Sequence, residues 1–415
     1  VSEVATTLTS ILAVFGVALV VRLLVRNRDR VAYASVLAAV GLGTAAAGVD
    51  PGLELTSDVI FLLLLPAVIF QGTTGLDVRE LRHDAPLVLV LTLVGLPLAV
   101  GILGVAGTVA FGFELSVALL FAAIVLPTDP AAVLSMFEEF DVAERLAVTI
   151  EGESLFNDGV AIVVFSTLLA SIQAGGESVT DLATVTGLAG FLGDVAVVGG
   201  GGLLLGGVVG YLAHRLVREL TDTMTVLLVT VVVAYGTFLV AEHFLHLSGV
   251  LATVGAGIAM GAHDQTHAGM SDPEHTVQEV WDTLAFLVTT VLYVLIGASI
   301  ELSAFVDHAG LVALAAVLVL VVRALTIYPL VTATNALTDD PVPTRCQHIM
   351  VWGGLHTVVP VALVLAIPEG VAGGRPLETM VFGVAVLSLV VQGLLMPTVL
   401  DLTGLSGSGG PDPEA

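Results

Sequence analysis

Apolar residues gather in runs long enough to cross the hydrocarbon of a bilayer, and polar residues are confined to the short gaps between them. The runs fall at about 3–25, 31–49, 57–75, 85–111, 115–137, 147–172, 188–213, 223–241, 246–263, 280–299, 303–334, 347–367 and 378–402, which gives thirteen expected spans. The gaps hold turn residues, among them Asp50-Pro51-Gly52, Ala174-Gly175-Gly176 and Asp339-Asp340-Pro341. No soluble domain is expected: residues 1–405 read as one transmembrane domain, and 406–415 as a short disordered tail rich in Gly, Pro and acid. The chain opens on Val1, which leaves room for a removed initiator Met or leader. The first run is too long for the apolar core of a signal peptide and is followed by Arg26, Arg28 and Arg30, so it reads as a span.

Two runs are interrupted. The fifth carries Leu126-Pro127-Thr128-Asp129-Pro130 at mid-depth; the twelfth carries Trp352-Gly353-Gly354-Leu355-His356-Thr357, followed by Pro360. Proline removes a backbone donor and glycine weakens a helix, so both runs should unwind there, which a membrane tolerates only inside protein or around a cavity. With the seventh run as a linker, runs one to six and eight to thirteen form halves of opposite topology. The interruptions then hold the same rank in each half. The expected fold is an all-α polytopic membrane protein of about thirteen transmembrane helices in two inverted-topology repeats, with discontinuous helices crossing in spans 5 and 12.

Composition agrees with the pattern: of 415 residues, 56 % are hydrophobic and 12 % charged, and the mean hydropathy is +1.04. That is more apolar surface than a soluble core absorbs. Every cationic side chain is Arg, and the net charge of −25 argues against nucleic acid as a partner. A lysine-free acidic exterior suits a halophile, whose carboxylates hold water and cations; codon bias in a GC-rich genome is the alternative. Cys346 stands alone, so no disulfide framework or cysteine metal site is expected. Ten of the eleven arginines outside Arg323 flank connections after odd-numbered spans, Arg375 being the exception. The bias predicts an external N-terminus and a cytoplasmic C-terminus in the cell membrane.

Charge inside a span is costly and therefore reads as functional. Residues 151–158, Glu-Gly-Glu-Ser-Leu-Phe-Asn-Asp, put three carboxylates and an Asn at the head of the sixth span. On a helix Ser154 and Asp158 share one face, and Glu153 and Asn157 the adjoining one. Asp158 lies nearest mid-span and is assigned the transport chemistry: burial favours its protonated form and a bound cation its ionised form, so the two compete for one group. Thr128, Asp129 and the carbonyls freed by the fifth-span break are oxygen donors of the kind a hard cation prefers. A proline kink capped by Thr-Asp is the plainer reading of that stretch. Arg323 cannot give up its charge and needs a carboxylate; Glu153 is the proposed partner, with Glu151 and the carbonyl ends of the broken helices as alternatives.

The histidines divide. His263, His267 and His275, with Asp264, Asp272 and Glu274, read as a solvated acidic loop, metal spacing being the alternative. His243 and His246 read as interfacial. His356 sits in the twelfth-span break, where a hydrogen bond to freed backbone and a pH-sensing role are both open. The glycines at 199–202 and 206–207 allow close helix approach, within the linker or at a dimer contact.

These residues resemble the NhaP/NHE-type sodium/proton antiporters of the monovalent cation:proton antiporter group. The likeness is carried by 62–72, 121–139 with its Thr128-Asp129-Pro130, 151–165, 248–261 and 286–297, and continues through Arg323 and Trp352-Gly353-Gly354-Leu355. The resemblance implies a thirteen-helix inverted-repeat fold, a homodimer in the bilayer, elevator-like movement, pH homeostasis, and Na⁺ and H⁺ as cargo with no cofactor. It makes Asp158 the ion- and proton-binding carboxylate, with Asp129, Thr128 and Ser154 as neighbouring Na⁺ ligands and Asn157 as the partner of Asp158. Glu153 and Arg323 would be the stabilising pair. Because Asn157 stands where electrogenic relatives carry a second Asp, it implies electroneutral one-for-one exchange.

Two positions depart from that pattern. Gln71 stands where a carboxylate is usual, and Leu355-His356-Thr357 replaces Leu-Arg-Gly. Both bear on cation choice and pH response, as does Glu151, read as a possible charge at the access funnel. K⁺/H⁺ exchange or other Na⁺-coupled transport is therefore the nearer rival. An intramembrane aspartyl hydrolase using Asp129 and Asp158 is the remote one.

Overall fold

The computed structural model describes residues 3–26, 31–49, 52–53, 55–140, 142–173, 184–264, 272–368 and 374–406. The expected tail, Arg28 and Arg30 lie outside these, as do the side chains of Arg375, His263, Asp264, His267, Asp272 and Glu274.

All the described regular structure is helical. In chain order the helices are α1 (Glu3–Val25), α2 (Tyr33–Ala46), α3 (Val59–Gly75), α4 (Val78–Ala110), α5 (Leu115–Val125), α6 (Ala131–Glu139), α7 (Glu144–Gln173) and α8 (Val185–Val217). Then follow α9 (Thr223–Phe244), α10 (Gly249–Asp264), α11 (Asp272–Ala298), α12 (Leu302–Asp307), α13 (Ala309–Asn335), α14 (Thr344–Trp352), α15 (Val358–Leu365) and α16 (Pro376–Thr403). Among the described residues, eight helices are long and apolar enough to cross a membrane by themselves. The remaining apolar stretches hold shorter helices, and two of them hold a pair separated by non-helical backbone: α5 with α6, and α14 with α15.

The chain divides into two compact units. The first comprises 1–57, 94–150 and 289–415; the second comprises 58–93 and 151–288. The divisions near 93, 150 and 288 fall inside α4, α7 and α11.

Small residues build the second unit. Gly202, Gly206 and Gly210 repeat every fourth residue on α8, and a Cβ at each would strike the carbonyl oxygen of Ser248, Ala252 and Ala256, which repeat at the same interval at the head of and along α10. With no solvent to drive association in lipid, close backbone approach of this kind supplies the packing. On the other side of α10, Gly257 and Gly261 admit Thr73 and Thr74 of α3. Phe70 of α3 packs on Trp281 of α11, ring centroids 5.0 Å apart, and the indole N–H donates to Thr230 of α9 at 3.0 Å.

In the first unit the second half of α4 packs on α5 and α13, while α16 packs on α13, α15 and α5. Arg145, at the start of α7, reaches the loop before α14 and donates to both the carboxylate and the carbonyl of Asp340, at 2.6 and 3.2 Å.

Candidate functional site

In the first unit the chemistry centres on two short non-helical segments. α5 ends at Val125, because Pro127 and Pro130 cannot donate to the ladder, and α6 starts at Ala131. α14 ends at Trp352 before Gly353-Gly354, and α15 starts at Val358. Each segment uses its freed backbone to hold the other. The Asp129 amide donates to the Leu355 carbonyl at 2.6 Å, and the His356 ring meets the Pro127 carbonyl at 3.0 Å through Nδ1. A carbonyl only accepts, so Nδ1 carries the proton.

Asp129 is held from three sides. Its Oδ1 accepts from the Ala131 amide at 3.0 Å; its Oδ2 accepts from the Thr357 hydroxyl at 2.6 Å and from the Tyr293 hydroxyl at 3.3 Å. Thr128, His356 and Thr357 beside it are buried. The His356 amide donates to Ser388 of α16 at 3.1 Å, Ser388 donates to Gln392 at 2.5 Å, and Gln392 exchanges hydrogen bonds with Trp352 at 3.1 and 3.2 Å. This polar chain ties the second segment to α16. Arg323 of α13 is buried, 6 % exposed. Its Nε donates to the Met350 carbonyl at the end of α14, 3.0 Å away, and its guanidinium lies where a side chain on Gly354 would have to sit.

In the second unit the site is one helix face. Gly152 of α7 packs against Leu81 and Val88 of α4, and Gly159 against Leu251 of α10. Those glycines share a side of α7, so the helical period turns Glu153, Ser154, Asn157 and Asp158 to the other side. All four are buried, Asp158 most exposed among them at 8 %. Asn157 Nδ2 lies 3.5 Å from Glu153 Oε1, one turn back. Glu151 Oε1 lies beside Gly72 of α3. Gln71, next to Gly72, donates its amide to Asp282 of α11 at 2.9 Å.

Thus Thr128, Asp129, His356 and Arg323 belong to one unit, and Gln71, Glu151, Glu153, Ser154, Asn157 and Asp158 to the other. The expected hydrogen bond of His356 to freed backbone is present. Sequence reasoning missed Tyr293 and Asp282. A charge two residues into the tenth apolar run was the available signal for Asp282; nothing in the pattern marked Tyr293. Among the described residues no three His, Cys, Asp or Glu side chains gather as a metal site, and His275 lies 3.5 Å from Glu279 one turn on.

Comparison with known proteins gives consistent matches. A family described as sodium/hydrogen exchanger, transmembrane, matches residues 9–402. The Na⁺/H⁺ antiporter ApNhaP of Aphanothece halophytica is 33 % identical over 379 residues, covering 91 % of this chain and 71 % of that protein. The low-affinity Na⁺/H⁺ antiporter NhaS1 of Synechocystis is 32 % identical over 386 residues, with the same coverage of 91 % and 71 %. Among solved structures, the sodium proton antiporter MjNhaP1 of Methanocaldococcus jannaschii at pH 8 superposes with a TM-score of 0.71 over 98 % of both chains; at 17 % identity that likeness is one of fold.

Proposed function

We infer that this chain, which belongs to the transmembrane sodium/hydrogen exchanger family, exchanges Na⁺ for H⁺ across a membrane, with Asp158 binding the cation or the proton in turn. The observation that carries the assignment is a carboxylate buried on the polar face of α7, within a chain that matches this family from residue 9 to residue 402. A buried carboxylate favours its neutral form; with a cation beside it, it favours ionisation. One group cannot hold both ligands, and that exclusivity couples the two flows.

We assign Ser154, one turn before Asp158, as an oxygen ligand to Na⁺. Asp129 already accepts three hydrogen bonds, which leaves about one of the roughly four lone-pair positions of a carboxylate open. In this reading Asn157, uncharged, makes the exchange electroneutral. Thirteen crossings in two inverted halves, with the α5/α6 and α14/α15 pairs as crossing discontinuous spans, is the architecture we propose. The hydrogen bonds between residues 127–129 and 355–357 support it. We further propose a homodimer in the cell membrane with an external N-terminus.

Proteoliposomes with an imposed pH gradient test the assignment. Added Na⁺ should dissipate the gradient, and Asp158→Asn should abolish the response; an unchanged rate in that variant rejects the mechanism. Gln71, uncharged where a carboxylate is usual, keeps K⁺ open as cargo, and a Na⁺, Li⁺ and K⁺ series in the same vesicles decides it. The aspartyl-hydrolase alternative has no support from the family match and is set aside.

A further inference from the structure

Within one turn of α3, from Gln71 to Gly75, side chains arrive from two other helices. Asp282 and Gln278, four residues apart on α11, come from one side. The Gln71 and Gln278 amides both donate to Oδ1 of Asp282, at 2.9 and 3.0 Å, and Gln278 Oε1 accepts from the Thr74 hydroxyl at 3.1 Å. Gly75 leaves the space in which the Gln278 amide lies. Beneath this clamp, the Phe70–Trp281 ring contact fixes α3 against α11. From the other side, Glu151 of α7 rests on Gly72.

The clamp is one-sided. Among the described residues, Oδ2 of Asp282 accepts no hydrogen bond, and the residue is exposed. Two neutral amides orient the carboxylate without cancelling its charge, and the second oxygen belongs to an exposed residue. From Glu151 the polar positions continue along α7 as Ser154 and Asp158, at i, i+3 and i+7, which is a single helix face. This line of oxygen-bearing side chains comprises Asp282 and Gln71 at one side of α3 and Glu151, Ser154 and Asp158 along α7, all within the second unit.

We propose that Asp282 is the charge that gathers Na⁺ at the mouth of this line, and that Gln71 and Gln278 are positioning residues that hold it there. A fixed negative charge beside a low-dielectric wall raises the local cation concentration without touching the chemical step. Gln71 acts by donating to a carboxylate supplied by α11, so the access charge sits on α11 rather than on α3. The mouth is the face on which α11 begins, cytoplasmic in the orientation proposed above.

The inference rests on Na⁺/H⁺ exchange by this chain, and the experiment separates the two. Wild-type protein in proteoliposomes that does not respond to Na⁺ sinks the transport reading itself. With exchange present, Asp282→Asn should raise the apparent KM for Na⁺ about threefold at an ionic strength of about 0.01 M, at unchanged maximal rate. In about 1 M choline chloride, where the screening length falls to about 3 Å, the difference should vanish. The double variant Gln71→Glu with Asp282→Gln returns the charge to α3 and should restore the low KM. A wild-type KM in Asp282→Asn at low salt overturns the proposal, as does a KM shift that salt does not erase, which a purely structural disturbance would give. A lost maximal rate overturns it too, as does a double variant whose KM stays high.

Discussion

A carboxylate that accepts three hydrogen bonds is held in one orientation, and Asp129 illustrates what each donor is worth. Thr357 contributes the shortest of them, 2.6 Å to Oδ2. Replacing it by Val removes the donor while keeping the volume, and should cost about 1–3 kcal/mol, the penalty of leaving a buried acceptor short. Thr357→Ser should keep most of that stability. Thermal unfolding in detergent compares the two, and equal midpoints for Val and wild type would remove Thr357 from the account. Gly354 makes a complementary point: the guanidinium of Arg323 occupies the space a methyl group would need. Gly354→Ala should displace Arg323 and lower both stability and Na⁺-driven dissipation. Gly43→Ala on α2, with open space at the same position, should change neither.

Asp222, the exposed N-cap of α9, gives a pH-dependent case. Its Oδ2 accepts from the Thr225 hydroxyl and amide at 2.7 and 2.9 Å. Those bonds favour the charged form and hold its pKa below the ordinary 3.8. A lowered folded-state value contributes stability that is complete above the unfolded pKa and is lost as pH falls through the folded one. The melting temperature should therefore drop between about pH 5 and about pH 3 more steeply for wild type than for Asp222→Asn, which caps the helix without titrating. Parallel curves would remove Asp222 as a contributor.

At the scale of elements, helix contact here depends on what is missing from side chains. Gly206 and Gly207 are neighbours on α8 with opposite surroundings: a Cβ on Gly206 would overlap the Ala252 carbonyl, while Gly207 has nothing within 4 Å of that point. Gly206→Val should force α8 from α10 and lower the yield of folded protein, since backbone cannot move aside as a side-chain tip can. Gly207→Ala should be neutral or stabilising by up to about 1 kcal/mol, because alanine loses less entropy in a helix. Size-exclusion profiles and melting temperatures of the pair read the difference; similar behaviour would mean that the α8–α10 contact is not tight. The same reasoning explains the breaks. Pro127 and Pro130 end a helix by removing donors, and the freed carbonyls at Pro127 and Leu355 are satisfied by His356 and Asp129 rather than by water.

For the whole molecule, the stoichiometry is the sharpest consequence of composition at one position. With Asn157 uncharged beside Asp158, each cycle should carry one Na⁺ against one H⁺ and no net charge. Na⁺ jumps on solid-supported membranes should therefore give no sustained transport current, whereas a clear current would show that a second charge moves. The net charge of −25 belongs to the same scale. If the acidic exterior is an adaptation to high salt, detergent-solubilised protein should lose stability as salt is withdrawn. Full stability in dilute buffer would favour codon bias.

Hydropathy and punctuation decided a great deal from the chain alone. Long apolar runs must satisfy their backbone internally, so helix occupies the stretches where it was expected, with α4, α8 and α11 extending past the expected bounds. Pro127, Pro130 and Gly353-Gly354 marked where helix stops for the local reason that they cannot or need not continue the ladder. Charge within an apolar run marked Asp129, Glu153, Asp158 and Arg323, because nothing but a partner or a function retains it there. The expectation of thirteen spans met helices of unequal length, and α5 is short because Pro127 and Pro130 remove the backbone donors that would continue it. The tertiary structure alone decided which faces meet. That Thr357 and Tyr293 hold Asp129, that α10 receives the α8 glycines, and that Asp282 answers Gln71 are contacts between residues 46 to 228 positions apart. Such pairings leave no local signal: a helix specifies its own apolar and polar sides, but only the packed neighbours determine whose side chain each one meets.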